Sequence, residues 1–293
     1  MNNKRLTIIG ATGFLSVPIT WQLVKNGVEV RVIARNPQKA KQVLPSSVDI
    51  LAGDVADEDS LKSALAGTDT LYIHLNTETT EMDLPFYTER EGVQNIVNAA
   101  KSNGVKHIMQ IVGIESLRDD FFLNGTLETE GIRKVGMESI KSSGIPYTFF
   151  HCSFFADSFV RFVQDDIAFL FGELPYQVYF TNSYQLAGHI RLAIENQVAY
   201  NNQYAIQGRE GLTFEQAAQR FFAGYDPKVS VQKVPINTIN DLGLPAGEAA
   251  FLKHIWEICE GFKERFISEN TYRDLGEPIV DLNEFASSRR QNS

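Results

Sequence analysis

The sequence predicts an α/β fold built on a doubly wound parallel sheet, and three observations support this prediction. Short runs rich in β-branched residues alternate with longer amphipathic segments through the first half of the chain. Several amphipathic segments end at a glycine, where a left-handed helix cap is expected. A glycine-rich turn separates the first apolar run from the first amphipathic segment. Strands that alternate with helices in this way form βαβ units and a parallel sheet.

The first half of the chain contains six strand candidates, at 6–9, 29–34, 48–51, 70–74, 107–112 and 147–151. Helix candidates lie between them, at 14–26, 37–43, 58–66, 85–103 and 127–143. Four of these helices are followed by a glycine at the expected cap position, namely Gly27, Gly67, Gly104 and Gly144. This recurring order of helix, glycine and strand supports the parallel sheet.

The second half of the chain is less regular. Residues 153–180 are rich in Phe and Tyr, and a helix–strand unit at 186–206 is expected to return to the sheet. Thr213, with Gln216 three residues later, predicts a capping box for a helix at 213–223. Beyond this helix, the pattern predicts a strand at 229–234, a long helix at 247–267 and a polar frayed tail at 287–293.

Composition and charge exclude several classes of protein. The 293 residues are 43% hydrophobic and 22% charged, which is ordinary for a globular protein. The formal net charge of −9 argues against nonspecific nucleic-acid binding, which needs a basic surface. No apolar run approaches the length of about 18 residues that a membrane span needs. We therefore expect neither a nucleic-acid partner nor a membrane.

Cysteine and histidine usage predicts no disulfide framework and no metal site. Cys152 and Cys259 are far apart in sequence and belong to no C-x-x-C pair. The five histidines show no ligand spacing. The short polar start of the chain carries no signal peptide, so we expect a cytoplasmic protein in a reducing compartment.

The glycine-rich turn, GATGFLS at residues 10–16, predicts a dinucleotide site on a Rossmann-type sheet. Gly10 allows the tight turn, Gly13 lets a pyrophosphate approach the backbone, and the small Ser16 allows close helix–strand packing. The helix N-terminus offers free N–H groups to an anion. A glycine turn that binds nothing is the alternative. The expected cofactor contacts are Gly10, Thr12, Gly13, Phe14 and Leu15.

Two further signals concern the adenosine half of the cofactor. NAD enzymes place an acid after the second strand to bind the ribose 2′-OH, but this chain has Arg35 there, followed by Lys39. A guanidinium binds a 2′-phosphate through paired donors, so we expect NADP(H) rather than NAD(H). The alternative is that Arg35 stacks on adenine. Asp54 and Val55, after the third strand, are expected beside the adenine, unless Asp54 only caps the next helix.

With these features in place, the chain resembles the NmrA-like family of atypical short-chain dehydrogenases/reductases. The similar stretches are 10–16, 34–40, 53–57, 104–115, 134–148 and 204–213. The resemblance implies a sheet of about seven strands and a smaller C-terminal α/β lobe, with the substrate cleft between them. The NADP(H)-binding domain would be formed by 1–152, completed by about 181–207, and the substrate-binding lobe by 153–180 and 208–293.

The resemblance also assigns residues around the nicotinamide. Lys134 matches the lysine that contacts the nicotinamide ribose, which makes it the candidate catalytic residue. Ser153 and Phe154 are expected to flank the nicotinamide. The turn after the fourth strand and the end of the fifth strand are expected to line the cofactor through His74, Leu75, Asn76, Val112 and Gly113.

The usual proton donors of the wider superfamily are missing. Its active members carry a Tyr four residues before the lysine, where this chain has Glu130, and a Ser or Thr after the fifth strand, where it has Gly113 and Ile114. A ketone that accepts a hydride becomes an alkoxide and needs a proton. A carboxyl group ordinarily titrates near about 4.3, so we expect Glu130 to pair with Lys134 one helical turn away. A catalytic acid is the alternative.

Two functional classes remain open. The first is an NADPH-dependent oxidoreductase for a quinone-like or other small planar acceptor, whose reduced anion water can protonate. The second is a noncatalytic NADP(H) redox sensor that acts through a regulatory protein partner, and a homo-oligomer is also possible. Aromatic residues of the second half could stack on a planar acceptor or simply form core, and they include Phe154, Phe155, Phe159, Phe162, Phe169 and Tyr176.

Overall fold

A computed structural model describes residues 5–77, 81–277 and 281–291 of the chain. Its strands are β1 (Arg5–Ile9), β2 (Glu29–Ala34), β3 (Asp49–Ala52), β4 (Thr70–Ile73), β5 (His107–Gly113), β6 (Tyr147–Cys152), β7 (Val163–Gln164), β8 (Ile167–Phe171), β9 (Asn202–Ile206) and β10 (Ser230–Val234). Seven of these described strands form one parallel sheet in the order β3-β2-β1-β4-β5-β6-β9. The predicted doubly wound parallel sheet is confirmed.

Helices cover both faces of this sheet. One face carries α1 (Ser16–Lys25), α2 (Pro37–Val43) and α6 (Ser183–Ala193). The other face carries α3 (Glu58–Ala64), α4 (Val93–Ser102) and α5 (Glu130–Ser142). Successive side chains of a strand point to opposite faces, so Leu6 and Ile8 pack toward the first group and Ile9 toward the second. Each face therefore has its own apolar core.

The local signals in the sequence explain where these helices begin and end. Asn36 caps α2, Asp57 caps α3, and Asn182 caps α6. The glycines predicted to end four helices all have positive φ angles, between 67° and 81°, at Gly27, Gly67, Gly104 and Gly144. The predicted strands and helices of the first half agree with the observed ones to within a few residues, except that α4 is preceded by a π-helical turn, Thr88–Gly92.

The C-terminal part of the chain forms a smaller α/β lobe around a three-stranded sheet, in the order β10-β8-β7. Its helices are α7 (Phe214–Tyr225), α8 (Ala246–Glu260), α9 (Glu269–Leu275) and α10 (Leu282–Gln291). The predicted capping box of α7 is present. The lobe has a separate aromatic core that includes Phe159, Phe214, Phe221, Trp256 and Phe285. The assignment of cofactor and substrate to the two parts stays a prediction.

Two sequence predictions for the lobe are wrong. The long helix expected at 247–267 ends at Glu260, and residues 263–268 cross toward the main sheet without regular structure. The expected frayed tail is helical up to Gln291, because Phe285 and Ala286 are buried against the lobe core. Its last two residues lie outside the described part of the chain. No helix among the described residues is long and apolar enough to cross a membrane.

Candidate functional site

The glycine-rich loop lies where the order of the strands reverses, between β1 and β4. In open α/β sheets this switch point forms a crevice at the carboxyl ends of the strands. The His74 N–H donates to the Ile9 carbonyl oxygen at 2.9 Å. Gly10 has φ +87°, and a Cβ there would lie 2.0 Å from the His74 carbonyl oxygen. The fold therefore requires glycine at position 10.

Gly13 is not required by the fold in the same way. Among the described residues, a Cβ at this position would meet only the Gly10 carbonyl oxygen, at 3.9 Å. Thr12, Gly13 and Phe14 are exposed and Leu15 is half-buried. In the part of the chain that the structure describes, no side chain caps the N-terminus of α1. The open face of the loop and the uncapped helix end fit a diphosphate group, which binds to backbone N–H groups.

Basic residues stand next to this loop, at the end of β2. Strands β1 and β2 are paired in parallel, with Ile9 opposite Ile33, so Arg35 follows the neighbouring strand end. Arg35 and Lys39 are exposed. Within the described ranges neither side chain forms an ion pair. Their charge is therefore free to meet an anion such as a 2′-phosphate.

Asp54 follows β3 beside the same strand end. The Gly53 N–H donates to the Ala34 carbonyl oxygen at 3.2 Å, which holds the turn against β2. Asp54 accepts a hydrogen bond from its neighbour Ala56 at 3.0 Å, whereas the next helix is capped by Asp57. The alternative in which Asp54 caps α3 is therefore wrong. Val55 is buried, and the adenine contact of both residues stays a prediction.

The turn after β4 forms the opposite wall of the crevice. His74 and Leu75 are half-buried, and Asn76 is exposed. The Tyr72 hydroxyl is 3.0 Å from His74 Nδ1. Burial lowers the pKa of His74 to about 4, so its imidazole is neutral at physiological pH.

A group of charged side chains lies at the carboxyl end of β5. The Arg133 guanidinium is 2.8 Å from Glu89, 2.6 Å from Glu115 and 3.1 Å from Glu130. Lys134 Nζ is 3.7 Å from Glu130 Oε1. We call these five residues the Arg133 cluster. It contains three carboxyl groups and two cations, so a fully ionised cluster carries one excess negative charge.

Two glycines leave room for residues of the Arg133 cluster to pack closely against the backbone. A Cβ at Gly113, the last residue of this strand, would lie 2.1 Å from a Glu115 carboxylate oxygen. A Cβ at Gly136 of α5 would lie 2.0 Å from the Glu89 carbonyl oxygen. Glycine at position 136 therefore lets α5 approach the π-helical turn. Val112 is buried, and Gly113 is half-buried beside it.

Glu130 and Lys134 differ sharply in their exposure. The Lys134 side chain is 52% exposed, whereas that of Glu130 is only 5% exposed. Burial raises the pKa of Glu130, and the nearby Glu115 raises it further, while Arg133 and Lys134 lower it. The expected pairing of Glu130 with Lys134 is present as a long contact. The role of Lys134 as a catalytic residue stays a prediction.

Ser153 and Phe154 follow β6 but face the lobe. Ser153 is buried, and its hydroxyl donates to Glu264 Oε2 at 2.9 Å. The Tyr179 N–H donates to the same oxygen at 2.5 Å. Burial raises the pKa of Glu264 to about 8. Phe154 is half-buried and packs on other aromatic rings, namely Phe159, Phe180 and Phe214.

The aromatic residues that the sequence offered as stacking partners mostly form core. Phe155 and Phe159 are buried, and Phe154, Phe162 and Phe169 pack against the lobe core. The Tyr176 ring lies 5.5 Å from Lys263 Nζ. The core interpretation is therefore the better one for most of them.

The lobe reaches the glycine loop through two arginines. The guanidinium carbons of Arg161 and Arg289 lie 5.3 Å and 5.6 Å from the centre of the Phe14 ring. Arg289 also forms an ion pair of 2.8 Å with Asp157, which is fully buried and bonded to Ser183. These contacts bring additional positive charge to the loop.

Cys152 and His151 do not form a reactive pair. The Cys152 thiol is buried and donates to the Phe150 carbonyl oxygen. The His151 ring instead contacts the Gly113 carbonyl oxygen and Gln203. Burial raises the pKa of the thiol and lowers that of the imidazole to about 4. A thiolate nucleophile is therefore not favoured here.

Sequence reasoning missed most of the charged residues of the site. Glu89, Glu115 and Arg133 come from separate elements, and no short motif connects them. The segment that carries Glu264 was assigned to a helix. The one sequence signal for this region is the position of Glu130, four residues before Lys134.

Comparison with known proteins identifies the family of the chain. The sequence profile of the NmrA-like family matches residues 2–285. The chain is 27% identical over 157 residues to a photosystem II assembly factor, Ycf39, of Trieres chinensis, covering 53% of this chain and 47% of that protein. It is 24% identical over 223 residues to a (4-alkanoyl-5-oxo-2,5-dihydrofuran-3-yl)methyl phosphate reductase of Streptomyces griseus, covering 73% and 72%. The first match thus spans about half of the relative's length.

Solved structures share the fold over almost the whole chain. The NADP(H) complex of triphenylmethane reductase from Citrobacter sp. gives a TM-score of 0.75 at 21% identity, covering 97% of this chain and 99% of that one. An NADPH-dependent quinone oxidoreductase of Escherichia coli gives a TM-score of 0.72 at 22% identity, with the same coverage. The similarity confirms the Rossmann-type α/β fold.

Proposed function

Because the chain belongs to the NmrA-like family, we propose that it is an NADPH-dependent oxidoreductase that reduces a quinone-like or other planar acceptor. The observation that carries this proposal is the glycine loop at the switch point of the sheet. Its open face at Gly13 and the uncapped start of α1 suit the diphosphate of a dinucleotide. One structural neighbour is a reductase in complex with NADP(H), and another is an NADPH-dependent quinone oxidoreductase. Both support the same conclusion.

The preference for a phosphorylated cofactor rests on charge. Arg35 and Lys39 are exposed at the end of β2, and among the residues described no carboxylate is paired with them. A guanidinium binds the 2′-phosphate of NADP(H) through two donors, whereas NAD(H) offers only a hydroxyl. We therefore expect NADP(H) to bind more tightly than NAD(H).

Catalysis would depend on positioning the cofactor and the acceptor rather than on a covalent bond to the protein. A bound dihydronicotinamide supplies a hydride. The chain would hold it at the carboxyl ends of β4, β5 and β6, beside His74, Gly113 and Ser153. The exposed Lys134 amine would orient the ribose and add positive charge near the hydride, and the lobe would hold the acceptor face to face with the ring.

The test measures NADPH binding and NADPH oxidation by the purified protein with quinones, azo dyes, triphenylmethane dyes and simple ketones. Binding is followed by the cofactor's fluorescence and oxidation by its absorbance. We expect turnover above the background rate with at least the planar acceptors. Binding without turnover across this panel would reject the reductase and favour the redox sensor, whereas no binding would reject both.

An Arg35→Asp variant tests the choice of cofactor in the same assays. We expect it to weaken NADPH binding by roughly tenfold or more, which is about 1.4 kcal/mol, and to leave NADH binding much less affected. Arg220→Gln is the matched control, because this exposed arginine pairs with Glu210 in the lobe. If the unaltered protein already prefers NADH, the interpretation of Arg35 is wrong.

A further inference from the structure

The Arg133 cluster has more negative groups than positive ones. Glu89 and Glu115 are the carboxylates closest to Arg133, at 2.8 Å and 2.6 Å, and Glu130 is farther away at 3.1 Å. Arg133 and the exposed Lys134 balance two carboxylates but not three. Buried charges are costly unless they are paired, so one carboxyl group in the cluster is expected to keep its proton.

Glu130 is the carboxyl group best placed to keep this proton. Its side chain is 5% exposed, and its nearest cations are Arg133 at 3.1 Å and Lys134 at 3.7 Å. Burial raises the pKa of Glu130, and the negative charge of Glu115 raises it further. Arg133 and Lys134 act in the opposite direction but do not cancel these effects.

Several buried polar atoms around Glu130 have no hydrogen-bond partner among the described residues. Glu130 Oε1 and Glu89 Oε2 are buried without a hydrogen-bond partner. The Ser116 hydroxyl approaches Glu130 and is also buried without a well-formed hydrogen bond. Ser116 ends the short turn after β5, and native proteins rarely leave such buried groups unpaired. These atoms therefore indicate a place for a polar ligand atom at the carboxyl end of β5.

We propose that Glu130 is the proton source for the reduction and that Ser116 helps to bind the oxygen or nitrogen atom that receives the proton. This inference rests on the proposed function. It would supply the proton that the superfamily's Tyr usually provides, because Glu130 occupies the position four residues before Lys134. Ser116 would take the part of the missing hydroxyl after the fifth strand.

The step balances in atoms and electrons. The acceptor gains a hydride from the bound dihydronicotinamide at one atom and a proton from Glu130 at its oxygen or nitrogen. The Glu130 O–H bond breaks, its electron pair stays on the carboxylate, and the acceptor is reduced by two electrons as the dinucleotide is oxidised by two. The half-exposed Lys134 amine then returns a proton from solvent to Glu130.

Only protonated Glu130 can donate a proton, and the ionisable groups around it shift the pH at which it loses that proton. Glu115 faces it from the segment after β5, Arg133 and Lys134 face it from α5, and Glu89 of the π-helical turn contacts Arg133 on its other side. Behind them, the His151 imidazole of β6 is neutral because burial lowers its pKa to about 4. The rate of reduction should therefore fall as the pH rises through the pKa of Glu130.

The experiment compares Glu130→Gln with Glu138→Gln, which removes an exposed carboxyl group from the same helix. We expect Glu130→Gln to slow hydride transfer to a ketone or azo acceptor by about 10² to 10⁴-fold and to abolish the fall at high pH. The effect on a quinone should be smaller, because its reduced anion is a weak base. Glu138→Gln should behave like the unaltered protein, and NADPH binding should survive in both variants.

A second readout does not depend on turnover. Carbon-13 labelling of the glutamate carboxyl groups should show, besides the signal of Glu264, a second group that is still protonated above its ordinary pH range. The second signal should disappear in Glu130→Gln while that of Glu264 remains, and it should titrate at lower pH in Glu115→Gln, because a neighbouring negative charge has been removed. Absence of any such signal that is lost in Glu130→Gln would overturn the proposal.

The two proposals fail in different ways. If the unaltered protein reduces acceptors and Glu130→Gln keeps its rate and pH profile, Glu130 is not the proton source and the reductase assignment stands. If the unaltered protein reduces nothing, the proposed function fails and the proton source falls with it, whatever the carboxyl titration shows. If Glu130→Gln does not fold, Glu115→Gln provides the test instead, because the fall in rate should then move to lower pH and an unmoved fall would reject Glu130 as the proton source.

Discussion

At the scale of single residues, two glycines of one loop have different reasons to be glycine. Gly10 has a positive φ, and the His74 carbonyl oxygen occupies the space of its missing side chain. Gly13 has room for a Cβ and lies on the exposed face of the loop. The first glycine therefore serves the fold, and we infer that the second serves the ligand.

Alanine substitutions should separate these two reasons. Gly10→Ala should destabilise the protein by about 3 kcal/mol, because the methyl group meets backbone and the φ angle is unfavourable. Gly13→Ala should leave the free energy of unfolding within about 0.5 kcal/mol of the unaltered value but weaken NADPH binding by roughly tenfold or more. Urea unfolding and cofactor titration measure both quantities. Normal NADPH binding by folded Gly13→Ala would contradict the proposed diphosphate position.

The sequence predicted the glycine loop better than the Arg133 cluster. The loop at Gly10 and Gly13 has a fixed local pattern, since a tight turn and a helix N-terminus depend on neighbouring residues. The Arg133 cluster depends on tertiary contacts between the π-helical turn, the end of β5 and α5. Residues brought together only by packing leave no periodic signal in a single sequence.

At the scale of elements, the last helix docks through one buried ion pair. Arg289 of α10 pairs at 2.8 Å with Asp157, whose carboxylate also accepts hydrogen bonds from the backbone N–H and hydroxyl of Ser183. Burial raises the pKa of Asp157, and Arg289 opposes this effect. A carboxylate in such a place needs its cation, because removal of one partner leaves an uncompensated buried charge.

Arg289→Gln should therefore destabilise the protein by about 3 kcal/mol. Arg290→Gln is the control, because this neighbouring arginine is exposed on the same helix. The double variant Asp157→Asn with Arg289→Gln should recover part of the loss, since no buried charge then remains. Chemical unfolding of the four proteins gives the comparison. Equal stability of Arg289→Gln and Arg290→Gln would show that the pair contributes nothing.

The elements of the lobe were harder to predict than those of the main sheet. The helix expected at 247–267 ends at Glu260, and Gly261 is its C-cap. The apolar pattern of the sequence continues past this end. A Cβ at Gly261 would lie 2.7 Å from Asn124, so packing against a distant loop fixes this end. Residues beyond it reach Ser153 and Gln207 instead of continuing the helix.

At the scale of the whole molecule, Glu264 joins the lobe to the main sheet. It accepts hydrogen bonds from Ser153 at the end of β6 and from the backbone of Tyr179 in the lobe. Burial raises its pKa from the ordinary 4.5 to about 8. The folded protein therefore keeps a proton on Glu264 over a pH range in which the unfolded chain releases it.

The stability of the protein should consequently fall as the pH rises from about 4.5 to about 8, by up to about 1.4 kcal/mol per pH unit from this group. Glu264→Gln cannot ionise but can still accept both hydrogen bonds. We expect this variant to be close to the unaltered protein at about pH 5 and clearly more stable at about pH 8. Urea unfolding at several pH values measures the difference, with Glu138→Gln as control. A constant difference across this range would mean that Glu264 is ionised in the folded protein.

The contact between Phe14 and Arg289 has a consequence for the order in which the molecule is built. The first helix and its glycine loop are synthesised long before α10, and Arg289, one of the two arginines over Phe14, belongs to that last helix described. Domains fold progressively during synthesis, and contacts between distant parts of a chain form late. A nascent chain can thus complete its first strands and helices while Arg289 is still missing from the Phe14 ring, and this contact forms only after α10 has been translated.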